Sequence, residues 1–216
     1  MRFIANVLSV FFFPLFIPIY GAFLLFSLPV FSFCPLIYIQ GAYITVFTFG
    51  TVVPLLCLFI LYKLKIISDM NLSNRKERFI PYFCTVVSCV FCAFALYLLA
   101  ILTFVPLMIA PALMIAVAAT LLVNIVVNIW WKISAHATGM GVLFGGILYV
   151  SYEHYINPSE WIIAIMFACG LVAAARLYLK AHTPGQVAAG FLNGALCTFI
   201  IPYFSLGYLY QMRLPF

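Results

Sequence analysis

Long apolar runs, broken about every 20–30 residues by short clusters of charge, proline and polar side chains, set the pattern of this chain. Strands of a membrane barrel would alternate in polarity over ~10 residues, whereas these runs are continuously apolar and close to the ~20 residues a helix needs to cross a bilayer. The pattern predicts an all-α fold, a polytopic transmembrane helical bundle of about six to seven spans. Placed by charges, prolines and polar clusters, the spans lie near 4–28, 43–67, 80–101, 105–131, 137–152, 160–179 and 184–209. In the first, Pro14 and Pro18 predict a kink or a re-entrant hairpin, the latter changing the span count and the side of the amino terminus. The whole of 1–216 reads as one integral membrane domain.

Composition sharpens this picture. With 68% hydrophobic and 6% charged residues the chain falls outside the range of soluble domains, and each ionisable side chain near the bilayer calls for pairing, snorkelling or function. The first apolar run exceeds a signal-peptide core and has no clear cleavage site, so it is expected to stay as a span. The cysteine count is seven, and Cys57, Cys84, Cys89, Cys92, Cys169 and Cys197 fall mostly inside spans; an odd count at membrane depth argues against a disulfide framework. Cys89-x2-Cys92 has no second pair beside it and is expected to be packing.

Seven spans place the loop 68–79 and the junctions 132–136 and 180–184 on one face. Arg75, Arg78, Lys132, His136, Arg176 and His182 then converge at one membrane surface, while the other carries Glu153, His154, Glu160 and Arg213. Basic residues at span ends are commonly topology signals, which suffices for Arg2, Lys63, Lys65 and Lys76. Histidine is no such signal, and two of the three histidines stand at these junctions.

Local chemistry at each junction adds detail. Ser134 is placed to N-cap the fifth span, leaving backbone N–H groups of the first turn, where His136 lies, to face an anion. Gly139, Gly141, Gly145 and Gly146 give that span a small-residue face, and Gly141-x3-Gly145 predicts close approach of a neighbouring helix. Asn124, Asn128 and Lys132 repeat every four residues on one face; the two amides are expected to bond neighbouring helices, and Lys132 to join the site. Thr183-Pro184-Gly185-Gln186 fits a helix start with a capping box, and His182 just before it is favoured as neutral imidazole by the positive helix end. Arg75 and Arg78, three apart, would share a face of a helical turn and offer forked donors to phosphate.

These junctions resemble the type-2 phosphatidic acid phosphatase superfamily, membrane relatives of the vanadium haloperoxidases. That family's pattern is Lys-x6-Arg-Pro, then Pro-Ser-Gly-His, then Ser-Arg-x5-His-x3-Asp, each at a span end on one face. The second motif matches as Ile133-Ser134-Ala135-His136, and the third as Ala175-Arg176-x5-His182-x3-Gln186 with Gln in place of Asp. The first is poor: the positions seven before Arg75 and Arg78 are Ser68 and Asn71, and the nearest proline is Pro81. Either the two arginines share the role, or Lys65 or Lys132 supplies the missing lysine. The resemblance covers roughly 70–195, a phosphatase-like core.

The resemblance implies metal-free, two-step hydrolysis of a lipid phosphate or a polyprenyl phosphate or diphosphate, without a cofactor. His182 would attack phosphorus, His136 would protonate the leaving oxygen, and Gln186 would orient His182. Arg75, Arg78, Lys132, Arg176 and Ser134 with the Ala135 N–H would hold the phosphate oxygens. A neutral Gln186 orients the ring without supplying charge, so weakened activity is one expectation; a non-catalytic protein that binds or moves an anionic lipid is the alternative. Haem ligation by the two histidines fits poorly, because Arg, Lys and Ser around them suit an anion better. Expected partners are the phosphorylated lipid and membrane lipids, with no nucleic acid. The expected place is a bacterial inner membrane: Arg2, Lys63, Lys65, Lys76 and Lys180 against Arg213 put the active face in the cytoplasm, whereas many bacterial relatives act at the outer face.

Overall fold

The computed structural model describes residues 1–105 and 107–211, with side chains up to residue 204; Arg213 lies outside the described residues. Among these residues all regular structure is helical. The chain opens with α1 (Arg2–Phe11) and α2 (Ile17–Ser27), joined through a 3-10 turn at Pro14–Phe16. Proline has no N–H to give a continuing helix, so the break falls at Pro14, while Pro18 sits harmlessly in the first turn of α2. The chain folds back here. Tyr20 Oη donates to the Phe11 carbonyl at 2.8 Å and the two rings stack at 5.7 Å, whereas a straight helix would separate them by ~13 Å along its axis. Thr51 Oγ1 holds the bend by donating to the Leu15 carbonyl at 2.7 Å.

The next unit is α3 (Leu36–Thr45), a π-helical stretch Val46–Val52, and α4 (Val53–Lys63). Pro54 can neither donate to the carbonyl four residues back nor tolerate its approach, and the wider π turn just ahead relieves the clash. The helix begins at Leu36, ahead of the expected 43, because Pro35 starts it and Gln40-Gly41 lies within it rather than in a loop.

A 3-10 turn Arg75–Arg78 leads into α5 (Phe79–Leu102), followed by α6 (Ile109–Asn128), α7 (Ala135–His154), α8 (Ser159–Tyr178) and α9 (Pro184–Gln211). Among the described residues six helical stretches are, by length and composition, sufficient to cross a membrane: Arg2–Ser27 with α1 and α2 taken together across their bend, Leu36–Lys63, Arg75–Leu102, Ile109–Asn128, Ser159–Tyr178 and Pro184–Phe204. The seventh expected span, α7, is not among them, since glycine, serine and a terminal Glu153-His154 dilute it. It can be less apolar because it is the inner helix, with α2, α6, α8 and α9 all packed on it.

The α7–α9 pair is the tightest in the bundle. Cβ atoms at Gly141 and Gly145 would collide with the Phe191 and Ala195 carbonyls of α9, and one at Gly194 with the Thr138 carbonyl of α7. The predicted close approach at Gly141-x3-Gly145 therefore occurs, against a matching Gly190-x3-Gly194 on α9. On its other side α7 runs beside α2, with Ile17 next to Gly139, Leu143 next to Gly21, and the Phe31 ring 5.1 Å from that of His154. All seven cysteines are free, and Cys89 and Cys92 are buried packing residues as expected.

Candidate active site

Hydrogen bonds tie the three junctions at one end of the bundle. Asn128 Nδ2 donates to the Arg75 carbonyl at 2.8 Å, Arg78 Nη1 to the Ile133 carbonyl at 3.0 Å, and the Ser134 N–H to the Gln186 carbonyl at 3.3 Å. The close α7–α9 contact sets the last of these by bringing both helix starts together. A cavity opens beside them, with Arg78, Ala135, His136, Arg176 and His182 on one side and Pro14, Leu15, Pro54, Leu58, Pro81 and Tyr82 among its other walls.

His182 is the best-defined group in it. Its Nδ1 lies 3.1 Å from Gln186 Oε1, which also accepts from the Thr183 N–H at 3.2 Å, while the Gln186 N–H bonds Thr183 Oγ1 at 3.4 Å. This is the predicted capping box. The atom that accepts from a backbone N–H must be the amide oxygen, so Nδ1 carries the ring proton and Nε2 keeps its lone pair. Burial, chiefly, with the charges of Arg78, Arg176 and Lys132, pushes His182 down to about 4, partly offset by Gln186. It is neutral near pH 7.

His136 is held differently. Its Nε2 is 3.0 Å from the Ser9 carbonyl, an obligate acceptor, so Nε2 carries the proton. Ser9 Oγ accepts from Arg176 Nη1 at 3.2 Å, so one residue of α1 touches both groups. Arg176 Nε is buried without a partner, a donor available to an anion. Arg78, 4% exposed, is fixed by the Ile133 bond and by Nε donating to the Leu72 carbonyl at 2.8 Å.

Some predicted residues stand elsewhere. Ser134 is fully buried and off the cavity: its hydroxyl accepts from the Ala137 N–H at 3.4 Å, so it caps α7 as predicted, and its burial rather than the cap keeps it from the cavity. Arg75 does not line the cavity, since its backbone is anchored to Asn128 in the 3-10 turn and only Arg78 of the pair turns inward. Lys132 lies beside the wall; burial and the like charges of Arg78 and Arg176 hold it below the usual lysine range, opposed by Asp69. Gln186 supports His182 from behind. Asn124, as expected, bonds across helices to Thr138 and Asn193. Ser9 and Tyr82 were not anticipated. Ser9 is one of three polar side chains in the apolar α1, with Arg2 and Asn6, a signal that was there to be found, whereas nothing distinguishes Tyr82, which bonds Arg78, among the other tyrosines. Among the described residues no group of three or more His, Cys, Asp or Glu side chains comes together.

No curated protein and no solved structure matches the chain. A match to a family model does exist; it starts in α6, so it takes in His136, Arg176, His182 and Gln186 and leaves out Arg75 and Arg78. Residues 114–208 match the model of the PAP2 superfamily, consistent with a member of the type-2 phosphatidic acid phosphatase superfamily.

Proposed function

We propose that this membrane protein hydrolyses a lipid phosphate or a polyprenyl phosphate or diphosphate through a phosphohistidine. The observation that carries this reading is the cavity in which Arg78, Arg176, His136 and a His182 of fixed tautomer meet apolar walls at one end of the bundle. In the first step the Nε2 lone pair of His182 attacks phosphorus in line and the bond to the ester oxygen breaks. His136 gives its proton to that oxygen, which leaves as an alcohol from a monophosphate, or, from a diphosphate whose bridging oxygen is the one released, as the prenyl monophosphate. The negative charge of the bound phosphate favours the imidazolium form that this requires. In the second step His136 takes a proton from water, the resulting hydroxide attacks phosphorus, and the P–N bond breaks to release phosphate. Arg78 and Arg176 hold the non-bridging oxygens, the orphan Arg176 Nε–H supplying a donor that the protein itself leaves unused.

A second reading, a non-catalytic protein that binds an anionic lipid, draws support from Gln186 and from the Ser9 carbonyl on His136, which occupies the proposed acid. The test is phosphate release from a panel of lipid and prenyl phosphates by purified protein in detergent, with chelator, beside His182→Ala. Release by the wild type that the variant lacks supports hydrolysis. Lipid phosphate retained without release, and lost on Arg176→Ala, supports the binding protein.

A further inference from the structure

We propose that the bundle contains an internal channel for one hydrocarbon chain of the substrate, leading from the basic cavity toward the opposite face between α2, α3, α5, α6 and α7. This inference rests on the lipid-phosphate reading for its head group, but its geometry is independent of catalysis. Two further cavities lie in series behind the basic one. The middle cavity shares Pro14, Leu15, Tyr82, Thr85 and Ala135 with it, and shares Ile17, Pro18, Val117 and Val142 with the third. The third ends among Leu28, Leu96, Ala110 and Val150. From His136 to Val150 the walls follow α7 for about 21 Å at 1.5 Å per residue, deeper than one leaflet of a ~30 Å hydrocarbon core.

The interior is built for an apolar occupant. Leu25, Met114, Leu143 and Ile147 line it and are shielded from the bilayer. The polar side chains on its walls are already satisfied. Thr85, Thr120 and Thr138 donate to the carbonyls of Pro81, Ala116 and Ser134, Thr198 to those of Val142 and Gly194, and Asn124 is paired with Thr138 and Asn193. With these hydroxyls and amides already bonded within the protein, water gains little there, and such cavities stay dry and take hydrocarbon. Because lipid tails are as apolar as the channel walls, transfer from bilayer to channel has little hydrophobic driving force, and selection follows from fit.

The direct test is photo-crosslinking with a hexadecyl phosphonate that carries a diazirine at the chain end and cannot be hydrolysed. The label is expected on Leu25, Met114 or Ile147. Label confined to bilayer-facing residues such as Phe91, Ile163 and Phe167 would overturn the channel. Gly146→Phe supplies the functional arm, because a side chain there grows into the third cavity toward Leu113. It is expected to lower kcat/KM for hexadecyl phosphate at least tenfold and to leave hexyl phosphate within twofold; equal effects on both would also overturn the proposal. Farnesyl phosphate distinguishes prenyl from linear chains. Interior label without phosphate release by the wild type would sink hydrolysis and keep the channel, and release with exterior label the reverse.

Discussion

At His182 the two ring nitrogens have different fates: Nδ1 donates to Gln186 Oε1 and Nε2 is left to face the cavity. A carboxylate would hold the same tautomer and also stabilise the positive ring that forms on attack. Gln186→Glu keeps the reach and is expected to raise kcat at neutral pH about tenfold, a fraction of the ~10⁴ separating amide from carboxylate in a protease triad. The added charge also raises the ring's proton affinity, so the acid limb of kcat/KM should move to higher pH; a pH–rate profile unchanged by Gln186→Glu would show that the side chain does not address His182. The wild-type protein should respond to acid as well. Folded His182 is held near 4 against an ordinary 6.5, so the unfolded chain binds more protons between those values. Thermal stability in detergent should therefore fall as pH drops from 6.5 to about 4, and His182→Asn should flatten that slope.

Helices bring these side chains together through glycine. A methyl at Gly194 would strike the Thr138 carbonyl of α7, a backbone atom that cannot swing aside, whereas Gly170 in α8 has nothing within 4 Å of the same position. Gly194→Ala should cost at least ~2 kcal/mol or abolish folding, since backbone overpacking has no cheap relaxation. Gly170→Ala should be neutral or stabilising by roughly 0.5–1 kcal/mol. Melting of the two variants in detergent checks both, and similar melting would mean that the α7–α9 contact is looser than described. The lost stability should be accompanied by lost phosphate binding, because the same contact positions Ser134 against Gln186.

Across the whole molecule, antiparallel passes of α5, α6 and α7 put Lys76 and the proposed active site at one end of the bundle and Glu160 at the other, on opposite membrane surfaces when α7 crosses with the helices it packs on. Lys76→Cys and Glu160→Cys, both at exposed positions, should react with an impermeant thiol reagent from opposite sides of sealed vesicles, over the low background of native cysteines buried or half-buried in the bundle. Labelling of both from one side would remove α7 as a crossing helix. The result also fixes the compartment that the active site faces, which the charge bias and the resemblance assign differently.

The sequence by itself determined the membrane bundle, most span limits, the Ser134 cap, the Thr183–Gln186 capping box and the joining of three junctions at one surface. Each is encoded locally, in runs of apolar residues or in side chains within four positions of one another. The tertiary structure alone decided that Arg78 rather than Arg75 turns inward and that Ser9 touches both His136 and Arg176. These contacts join residues 55 to 167 positions apart, as with Arg78 to Ile133 and Ser9 to Arg176. They depend on how far α1 folds back at Pro14 and how closely α7 meets α9, and such distances between helices leave no period or motif along the chain.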